Sequence, residues 1–302
     1  MSGAEVVDPL DPAAKAAVLA EALPYIRRFW GRTVVVKYGG NVIGDVSRDA
    51  DDDDAERRSL ASFAQDVVLM RSVGMRPVVI HGGGPQIGRL MERLGKTPEF
   101  RNGLRVTDAE TLDIARMVLV GKVNRDIVGA INVHAALAVG LSGEDGSLLQ
   151  AVAHSDDLGY VGDVKAVEAS MIERLLNEEL IPVVATIGSD ATGQSYNINA
   201  DTAAGAIAVA LGAAKLVYLT NIEGLRRDIN DPASLVRTAN VTEVKELMAA
   251  GSIGEGMVPK LEACLTAVTN GVGQAHILDG RRPHALLLEF FTDEGIGTMV
   301  EA

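Results

Sequence analysis

The sequence predicts an α/β fold with a largely parallel central sheet, and two features of its pattern indicate this class. Short runs of β-branched and other apolar residues, typical of buried strands, alternate with longer segments of helical periodicity. Two of the apolar runs also end on glycine-rich turns. Such alternation over 302 residues predicts helices layered on the faces of a sheet, in one large or two moderate domains.

The expected strands are short runs rich in Val, Ile or Leu that are bounded by turn or helix signals. The first, "TVVVK", ends on a lysine, and the second, "PVVI", continues directly into "HGGGP". No internal repeat is visible in the sequence. The strands are expected at 33–37, 77–80, 181–185, 215–220, 275–278 and 284–288.

The segments between these strands space their apolar residues three and four positions apart, which predicts helices. The first helix precedes the first strand and is expected to bend at Pro24. The acidic stretch "SRDADDDDAERR", 47–58, is expected to be a solvated loop that leads into the second helix. The helices are expected at 13–30, 59–72, 85–94, 108–120, 200–212 and 258–270.

Composition and charge exclude several classes of function. Hydrophobic residues make up 47% and charged residues 23%, as in an ordinary soluble enzyme. No apolar run approaches the ~18 residues of a membrane span, and the acidic N-terminus lacks the order of a signal peptide. The single cysteine, Cys264, excludes an intramolecular disulfide and favours a cytoplasmic location. The net charge of −13 argues against nucleic acid or an anionic membrane as a partner, so a bound phosphate would need local cations.

Two glycine-rich turns follow strands and are candidates for anion binding. One is "KYGGN", 37–41, and the other is "HGGGP", 81–85, which leads into a helix. Glycine allows close approach of the backbone to a ligand, and a helix N-terminus favours an anion. Neither turn is a P-loop or a G-x-G-x-x-G dinucleotide motif. Each alone fits a tight turn equally well, but two turns beside Lys37 favour a phosphate or carboxylate site.

Three further residues each have two readings on the sequence alone. Lys260 in "GMVPKLEAC" stands near a helix start, where a cation is unfavourable unless it is exposed or meets an anionic ligand. Asp201 in "NINAD" is read first as a helix cap, although it could also orient nearby lysines. Arg105 in "NGLRVTD" is either exposed or a bidentate partner for a carboxylate.

These motifs together resemble the amino acid kinase family. The segments "VVVKYGGN", "VVIHGGGPQIGRLMERLG", "NGLRVTD", "YNINADTAAGAIAVALGA" and "GMVPKLEAC" occur in the family's order between about residues 13 and 300. The resemblance implies a three-layer αβα sandwich with a mainly parallel central sheet. It also implies a lobe at 33–195 for the acyl substrate and dimerisation, and a lobe at 196–302 for ATP.

The resemblance is to those members that phosphorylate the γ-carboxylate of N-acetyl-L-glutamate with ATP and Mg²⁺ during arginine biosynthesis. It implies that Lys37 and Lys260 stabilise the transferring phosphoryl group and that Asp201 aligns them. Magnesium would be held chiefly by phosphates and water, without a protein-only metal site. The implied acetylglutamate contacts are Gly83, Gly84, Arg105, Asn197 and Asn199. The implied phosphate and nucleotide contacts are Gly39, Gly40, Asn41, Thr220, Asn221 and Gly224.

Two positions depart from the family pattern. Relatives commonly have aspartate at the position of Asn221, and asparagine removes the charge there but keeps a hydrogen-bond acceptor for ribose or metal contacts. Glu255 replaces a glycine that often precedes "GMVPK", which would alter the flexibility of that loop.

The two ends of the chain resemble the arginine-inhibited members of the family. There, an N-terminal helix (here within 1–32) interlocks with that of a neighbouring dimer and gives a hexamer built as a trimer of dimers. The alternative for this helix is packing on its own subunit. The segment "AHILDGRRPHALLLEFFTDEGIGTMV" resembles the arginine-site signature. The resemblance implies that L-arginine binds at Tyr25, His276, Glu289 and Gly295.

Other functions compete with this one. A different member of the family would act on another carboxylate or on carbamate, although "NGLRVTD" followed by "YNINAD" argues against this. A catalytically silent arginine sensor would be expected to lose Lys37, Lys260 or Asp201, and all three are present. A dinucleotide-dependent oxidoreductase would need G-x-G-x-x-G with an acidic residue ~20 positions later, which the sequence lacks.

Overall fold

A computed structural model of the chain describes residues 11–39, 52–228, 231–250, 253–254, 257–293 and 295–302. Three residues singled out above, Gly40, Asn41 and Glu255, lie outside the described residues. No helix within these ranges is long and apolar enough to cross a membrane.

The strands are β1 (Thr33–Tyr38), β2 (Arg76–His81), β3 (Phe100–Arg101), β4 (Leu104–Arg105), β5 (Ala138–Ser142), β6 (Leu149–Ala153), β7 (Val161–Val167), β8 (Ile181–Ala185), β9 (Ile187–Ser189), β10 (Ser195–Ile198), β11 (Lys215–Thr220), β12 (Thr238–Asn240), β13 (Gln274–Asp279) and β14 (Thr298–Glu301). The α-helices are α1 (Pro12–Phe29), α2 (Asp52–Ser72), α3 (Gly84–Arg93), α4 (Ala109–Arg116), α5 (Asn124–His134), α6 (Ser170–Asn177), α7 (Ala200–Ala210), α8 (Val241–Ala249), α9 (Val258–Thr269) and α10 (Ala285–Phe291). A π-helix, Met117–Val123, joins α4 to α5.

The central sheet has eight strands in the order β12-β14-β13-β11-β1-β2-β8-β5. Its neighbours pair in parallel except β13 and β14, which are antiparallel. Strand β1 lies between β2 and β11, so Lys37 is opposite Ile80 on one side and Tyr218 on the other. The parallel strands bring their carboxyl ends to one edge of the sheet, where α/β proteins bind ligands.

Helices cover both faces of this sheet, which confirms the predicted three-layer αβα sandwich. Strand residues alternate between two hydrophobic clusters, as the pleat requires. Val34 and Val36 pack in the cluster that contains α2, α3, α5 and α10, whereas Val35 packs with α6, α7, α8 and α9. Lys37, two positions after Val35, therefore belongs to the face that carries α7 and α9.

Two small sheets sit beside the central one. Strands β6, β7, β9 and β10 close into a small barrel, and β3 pairs with β4 as a hairpin. The hairpin turns at Asn102 and Gly103, which both have positive φ. The predicted lobe boundary at 195/196 falls inside β10, and the division into lobes remains a prediction.

Several expectations about local structure were wrong. The run at 284–288 is not a strand but the start of α10, because Leu286 and Phe290 bury one helical face, and short apolar runs do not reveal their period. The acidic stretch is helical from Asp52 onward. Asp201 does not cap α7: the side chain of Asn199 does so, accepting the amides of Asp201 and Thr202. Pro24 lies inside α1, which continues to Phe29, and the bend expected there remains a prediction.

Asp66 predicts a specific pH dependence of stability. This carboxyl is buried on α2 and accepts a 2.6 Å hydrogen bond from His284 Nδ1, just before α10. Burial raises the pKa of Asp66 to about 6, although the hydrogen bond from His284 opposes the rise. Because the folded pKa exceeds the unfolded one, the stabilisation is complete at low pH and is lost as pH rises through about 6.

The test compares wild type with Asp66→Asn by urea unfolding. Between pH 4 and pH 7, we expect the unfolding free energy of wild type to fall by about 2 kcal/mol relative to the variant. Asp163→Asn is the control, because it breaks a surface pair with His154 and should change stability by at most about 0.5 kcal/mol at each pH. A constant difference between wild type and Asp66→Asn would contradict the prediction.

Candidate active site

Two lysines and one aspartate meet at the carboxyl edge of the sheet. Lys37 Nζ lies 2.8 Å from Asp201 Oδ1, and Lys260 Nζ donates to Asp201 Oδ2 at 2.9 Å. All three side chains are largely buried. Burial alone would raise the pKa of Asp201, but the two ammonium groups outweigh it and hold the pKa at about 2. Asp201 is therefore ionised, and it holds each lysine at a different oxygen.

The local folding of the chain explains how these residues meet. Lys37 is the next-to-last residue of β1, while Asp201 and Lys260 stand in the first turns of α7 and α9. A cation at the start of a helix is unfavourable without a negative partner, and Asp201 supplies that partner for Lys260. The three residues come from 37, 201 and 260, so this cluster exists only in the folded chain.

The cluster lines a cavity of about 230 Å³ at this edge of the sheet. The N-terminal residues of α3, α7 and α9 all contribute to its wall. Helix α3 has no side-chain cap, so its first amides are free for an anion. The predicted site residues that line this cavity are Lys37, Gly39, Gly83, Gly84, Arg105, Asn197, Asn199, Asp201, Thr220 and Lys260.

Two predicted nucleotide contacts that the structure describes, Gly224 and Asn221, are absent from this wall. Gly40 and Asn41 lie outside the described residues. Gly224 has a φ of +147° and packs against Thr298, where a Cβ would come within 2.6 Å of Oγ1, so its backbone alone requires glycine. Asn221 follows Thr220 at the end of β11 but does not itself line the cavity.

Arg105 is buried and has no carboxylate partner among the described residues. Its Nη2 donates to the carbonyl oxygen of Gly84 at 2.8 Å, and its guanidinium lies 4.7 Å from the centre of the Phe100 ring. Burial lowers the pKa of Arg105, yet an arginine stays charged at neutral pH. Among the described residues that line it, the cavity thus has three cations, Lys37, Lys260 and Arg105, against the single carboxylate of Asp201.

His81 supports the glycine turn at 82–84. Its Nδ1 donates to the carbonyl oxygen of Gly82 at 3.1 Å, and its Nε2 accepts from the Asn124 amide at 3.0 Å. Burial lowers the pKa of His81 to about 4, so the ring is neutral. A Cβ on Gly83 would come within 2.7 Å of Leu119 in the π-helix. The turn can therefore pack closely on this helix only because residue 83 is glycine.

Some residues of the cavity were missed by the sequence analysis. Thr186 is buried directly after β8 and could have been found, because it follows the carboxyl end of a predicted strand. The apolar part of the wall carries no sequence signal, because its residues look like ordinary core. It includes Ile87, Leu104, Leu119, Val161 and Ile198.

A second cavity, of about 980 Å³, lies between α1, α10 and the end of the sheet formed by β11, β13, β14 and β12. The four predicted arginine contacts all line it: Tyr25, His276, Glu289 and Gly295. Glu289 is its central carboxylate, and its Oε1 contacts His276 Nδ1 at 2.8 Å and Lys215 Nζ at 3.2 Å. Burial would raise the pKa of Glu289, but these two partners lower it, so the side chain is ionised.

Lys215 was not predicted for this cavity. Its ammonium lies 5.3 Å and 5.1 Å from the ring centres of Phe29 and Phe290. Burial lowers the pKa of Lys215, although Glu289 opposes this. The sequence shows only that a lysine opens an apolar run, and this does not reveal its pairing with Glu289.

Comparison with known proteins matches this chain to a family model, to named relatives and to solved structures. Residues 32–279 match the model of the amino acid kinase family. A protein of Symbiobacterium thermophilum named acetylglutamate kinase is 52% identical over 295 residues, which cover 95% of this chain and 97% of the relative. Two solved structures of N-acetylglutamate synthase from Neisseria gonorrhoeae match at 28% identity.

The two synthase structures differ in what they contain. One is complexed with coenzyme A and N-acetyl-glutamate and has a TM-score of 0.80, and the other is complexed with coenzyme A and L-arginine and has a TM-score of 0.77. The match covers 95% of this chain in both cases, but only 63% and 65% of the synthase chains. This chain therefore spans less than two thirds of the synthase length.

Proposed function

Because this chain belongs to the amino acid kinase family, we propose that it transfers the γ-phosphoryl group of ATP to the γ-carboxylate of N-acetyl-L-glutamate. The relative of the same length carries the name of this activity. The observation that carries the proposal is the pair of lysines held by one buried aspartate at the cavity. Two anions must meet during this reaction, and the cavity supplies the positive charge that such a meeting needs.

In the proposed reaction, a carboxylate oxygen attacks the γ-phosphorus and ADP leaves. The attacking carboxylate is already ionised, so no general base is needed. Lys37 and Lys260 donate to the transferring group, and Asp201 keeps both ammonium groups in place. Positioning and neutralisation of charge are the main contributions that a protein makes to phosphoryl transfer.

The acetylglutamate end of the cavity is proposed to be the side of Arg105, Gly83 and Asn197. The guanidinium would bind the α-carboxylate, and the apolar wall would receive the acetyl group. ATP would enter from the side of Gly39 and Thr220, with the flanking Gly40, Asn41, Asn221 and Gly224 as further contacts. No group of three or more metal-ligating side chains occurs within the described ranges, so Mg²⁺ would arrive with the phosphates of ATP.

A coupled assay of ADP release tests the proposal. We expect release with N-acetyl-L-glutamate, and little or none with L-glutamate, L-aspartate or carbamate. Activity with one of the other acceptors would move the chain to a different member of the family. No release with any acceptor, together with arginine binding, would instead favour the silent sensor.

We also propose feedback inhibition by L-arginine at the second cavity, in a cytoplasmic hexamer built as a trimer of dimers. Glu289 Oε2 lies beside Gly295 and makes no hydrogen bond with a described residue, so it is available to a guanidinium. The buried Nε2 of His276 likewise has no partner within the described residues. The related Neisseria synthase has been solved in complex with L-arginine, which supports the choice of this ligand.

Arg105→Ala gives a test of the substrate side. We expect the KM for acetylglutamate to rise by about tenfold or more, on the scale of a lost hydrogen bond to a charged group, while the KM for ATP stays within about twofold. Arg101→Ala is the matched control, because Arg101 lies in the same hairpin but pairs with Glu99 and does not line the cavity. A change in the KM for ATP alone would show that the two substrates have been assigned to the wrong sides of the cavity.

A further inference from the structure

Asp201 is held at its main chain as well as at its carboxylate. The amide N–H of Asp201 donates to the side chain of Asn199 at 2.8 Å, which is the ordinary capping interaction of α7. The carbonyl oxygen of Asp201 accepts a hydrogen bond from a side chain outside α7: the phenol of Tyr218 donates to it at 3.0 Å. Tyr218 is fully buried in β11 and was not singled out by the sequence.

The register of the sheet places this tyrosine beside a proposed catalytic lysine. Tyr218 is opposite Lys37 in the parallel β1–β11 pair, so both side chains project from the same face toward α7. Lys37 reaches the carboxylate of Asp201, and Tyr218 reaches its carbonyl oxygen. Two neighbouring strands thus each donate one group to the same residue.

The surroundings make the phenol a fixed donor. Burial raises the pKa of Tyr218 well above its ordinary value, so the hydroxyl stays protonated. A carbonyl oxygen can only accept, which sets the direction of the hydrogen bond. On α7, one turn after Asp201, Gly205 faces the hydroxyl, and a Cβ there would lie 3.5 Å from the phenol oxygen.

We propose that Tyr218 is a positioning residue for phosphoryl transfer: it fixes the main chain of Asp201 and thereby the carboxylate that holds Lys37 and Lys260. This inference rests on the proposed role of Asp201. Loss of the phenol hydroxyl would let the first turn of α7 shift or open more often. The two ammonium groups would then be less well placed when charge develops on the transferring group.

Tyr218→Phe removes only the hydroxyl and keeps the ring. We expect kcat to fall by about five- to tenfold, as for a lost hydrogen bond that acts on the transition state, with both KM values within about twofold. Tyr196→Phe is the matched control: Tyr196 is also buried and donates its hydroxyl to Asp190 at 3.3 Å, outside the catalytic cluster. The control should keep the wild-type kcat even where both variants lose similar thermal stability.

Hydrogen–deuterium exchange without substrates gives a readout independent of activity. In Tyr218→Phe, we expect the amides of residues 200–205 to exchange about fivefold or more faster, with other segments unchanged. Wild-type kcat in this variant, or unchanged exchange in this segment, would overturn the inference. A wild-type protein that releases no ADP with acetylglutamate would overturn the proposed function instead, while the exchange result would still decide whether Tyr218 anchors Asp201.

Discussion

Lys37→Ala and Lys260→Ala are each expected to lower kcat by about two orders of magnitude or more, the scale of a lost preorganised donor in an active site. The KM values for acetylglutamate and ATP should change far less. The reason is that charge is concentrated on the transferring phosphoryl group, so each ammonium contributes most in the transition state. In either variant, Asp201 keeps one ammonium partner and remains ionised.

Steady-state kinetics with both substrates varied will separate the effect on kcat from the effects on the two KM values. Lys122→Ala is the control, because this exposed lysine pairs with Asp126 one turn away and should leave kcat unchanged. Normal kcat with a raised KM in Lys37→Ala or Lys260→Ala would remove that lysine from the transfer step. It would then be a binding residue only.

The predictable parts of this site are those whose residues lie together in one short segment of the sequence. Lys37 and the glycine turns could be read locally, because a strand followed by glycine already suggests a backbone open to an anion. The bridge between Lys37, Asp201 and Lys260 could not be read in this way. The residues of "NINAD" alone favoured Asp201 as a helix cap over a carboxylate that orients lysines, and the family resemblance reversed that preference.

The structure shows why the local reading of Asp201 failed. Asn199 occupies the capping position two residues earlier, which leaves the carboxylate of Asp201 free to turn toward the lysines. Tyr218 and Lys215 could not be predicted for a different reason. Their roles depend on the strand register and on which helix covers which face, and neither can be read from the spacing of residues in one sequence.

The apolar stripe of α1 leads to the second large effect. Its members Val18, Leu19 and Leu23 are 54%, 71% and 51% exposed, whereas Phe29 is buried against Phe290 of α10 in an edge-to-face contact. The C-terminal end of α1 is thus packed on its own subunit, while the stripe has no cover within the described part of the chain. Exposed apolar groups of this kind favour a protein partner, and we propose that the partner is α1 of a neighbouring dimer.

Deletion of residues 1–28 is therefore expected to convert a hexamer into a dimer that keeps its kcat and loses arginine inhibition. Two losses combine, because the deletion removes the stripe and also takes Tyr25 and Arg28 from the wall of the second cavity. Sedimentation velocity measures the assembly, and the arginine dependence of ADP release measures the inhibition. A truncated protein that remains a hexamer and responds normally to arginine would show that α1 only packs on its own subunit.

Two further variants separate assembly from ligand binding. Leu19→Glu with Leu23→Glu keeps Tyr25 but charges the stripe, so we expect dimers with weakened inhibition. Glu289→Gln keeps the stripe and removes the negative charge that faces the cavity, so we expect hexamers whose half-inhibitory arginine concentration rises about tenfold or more. Coupling between the sites requires both an intact arginine pocket and a second arrangement of subunits for arginine to favour. If Glu289→Gln were inhibited as strongly as wild type, arginine would have to bind elsewhere, whatever the assembly of the truncated protein.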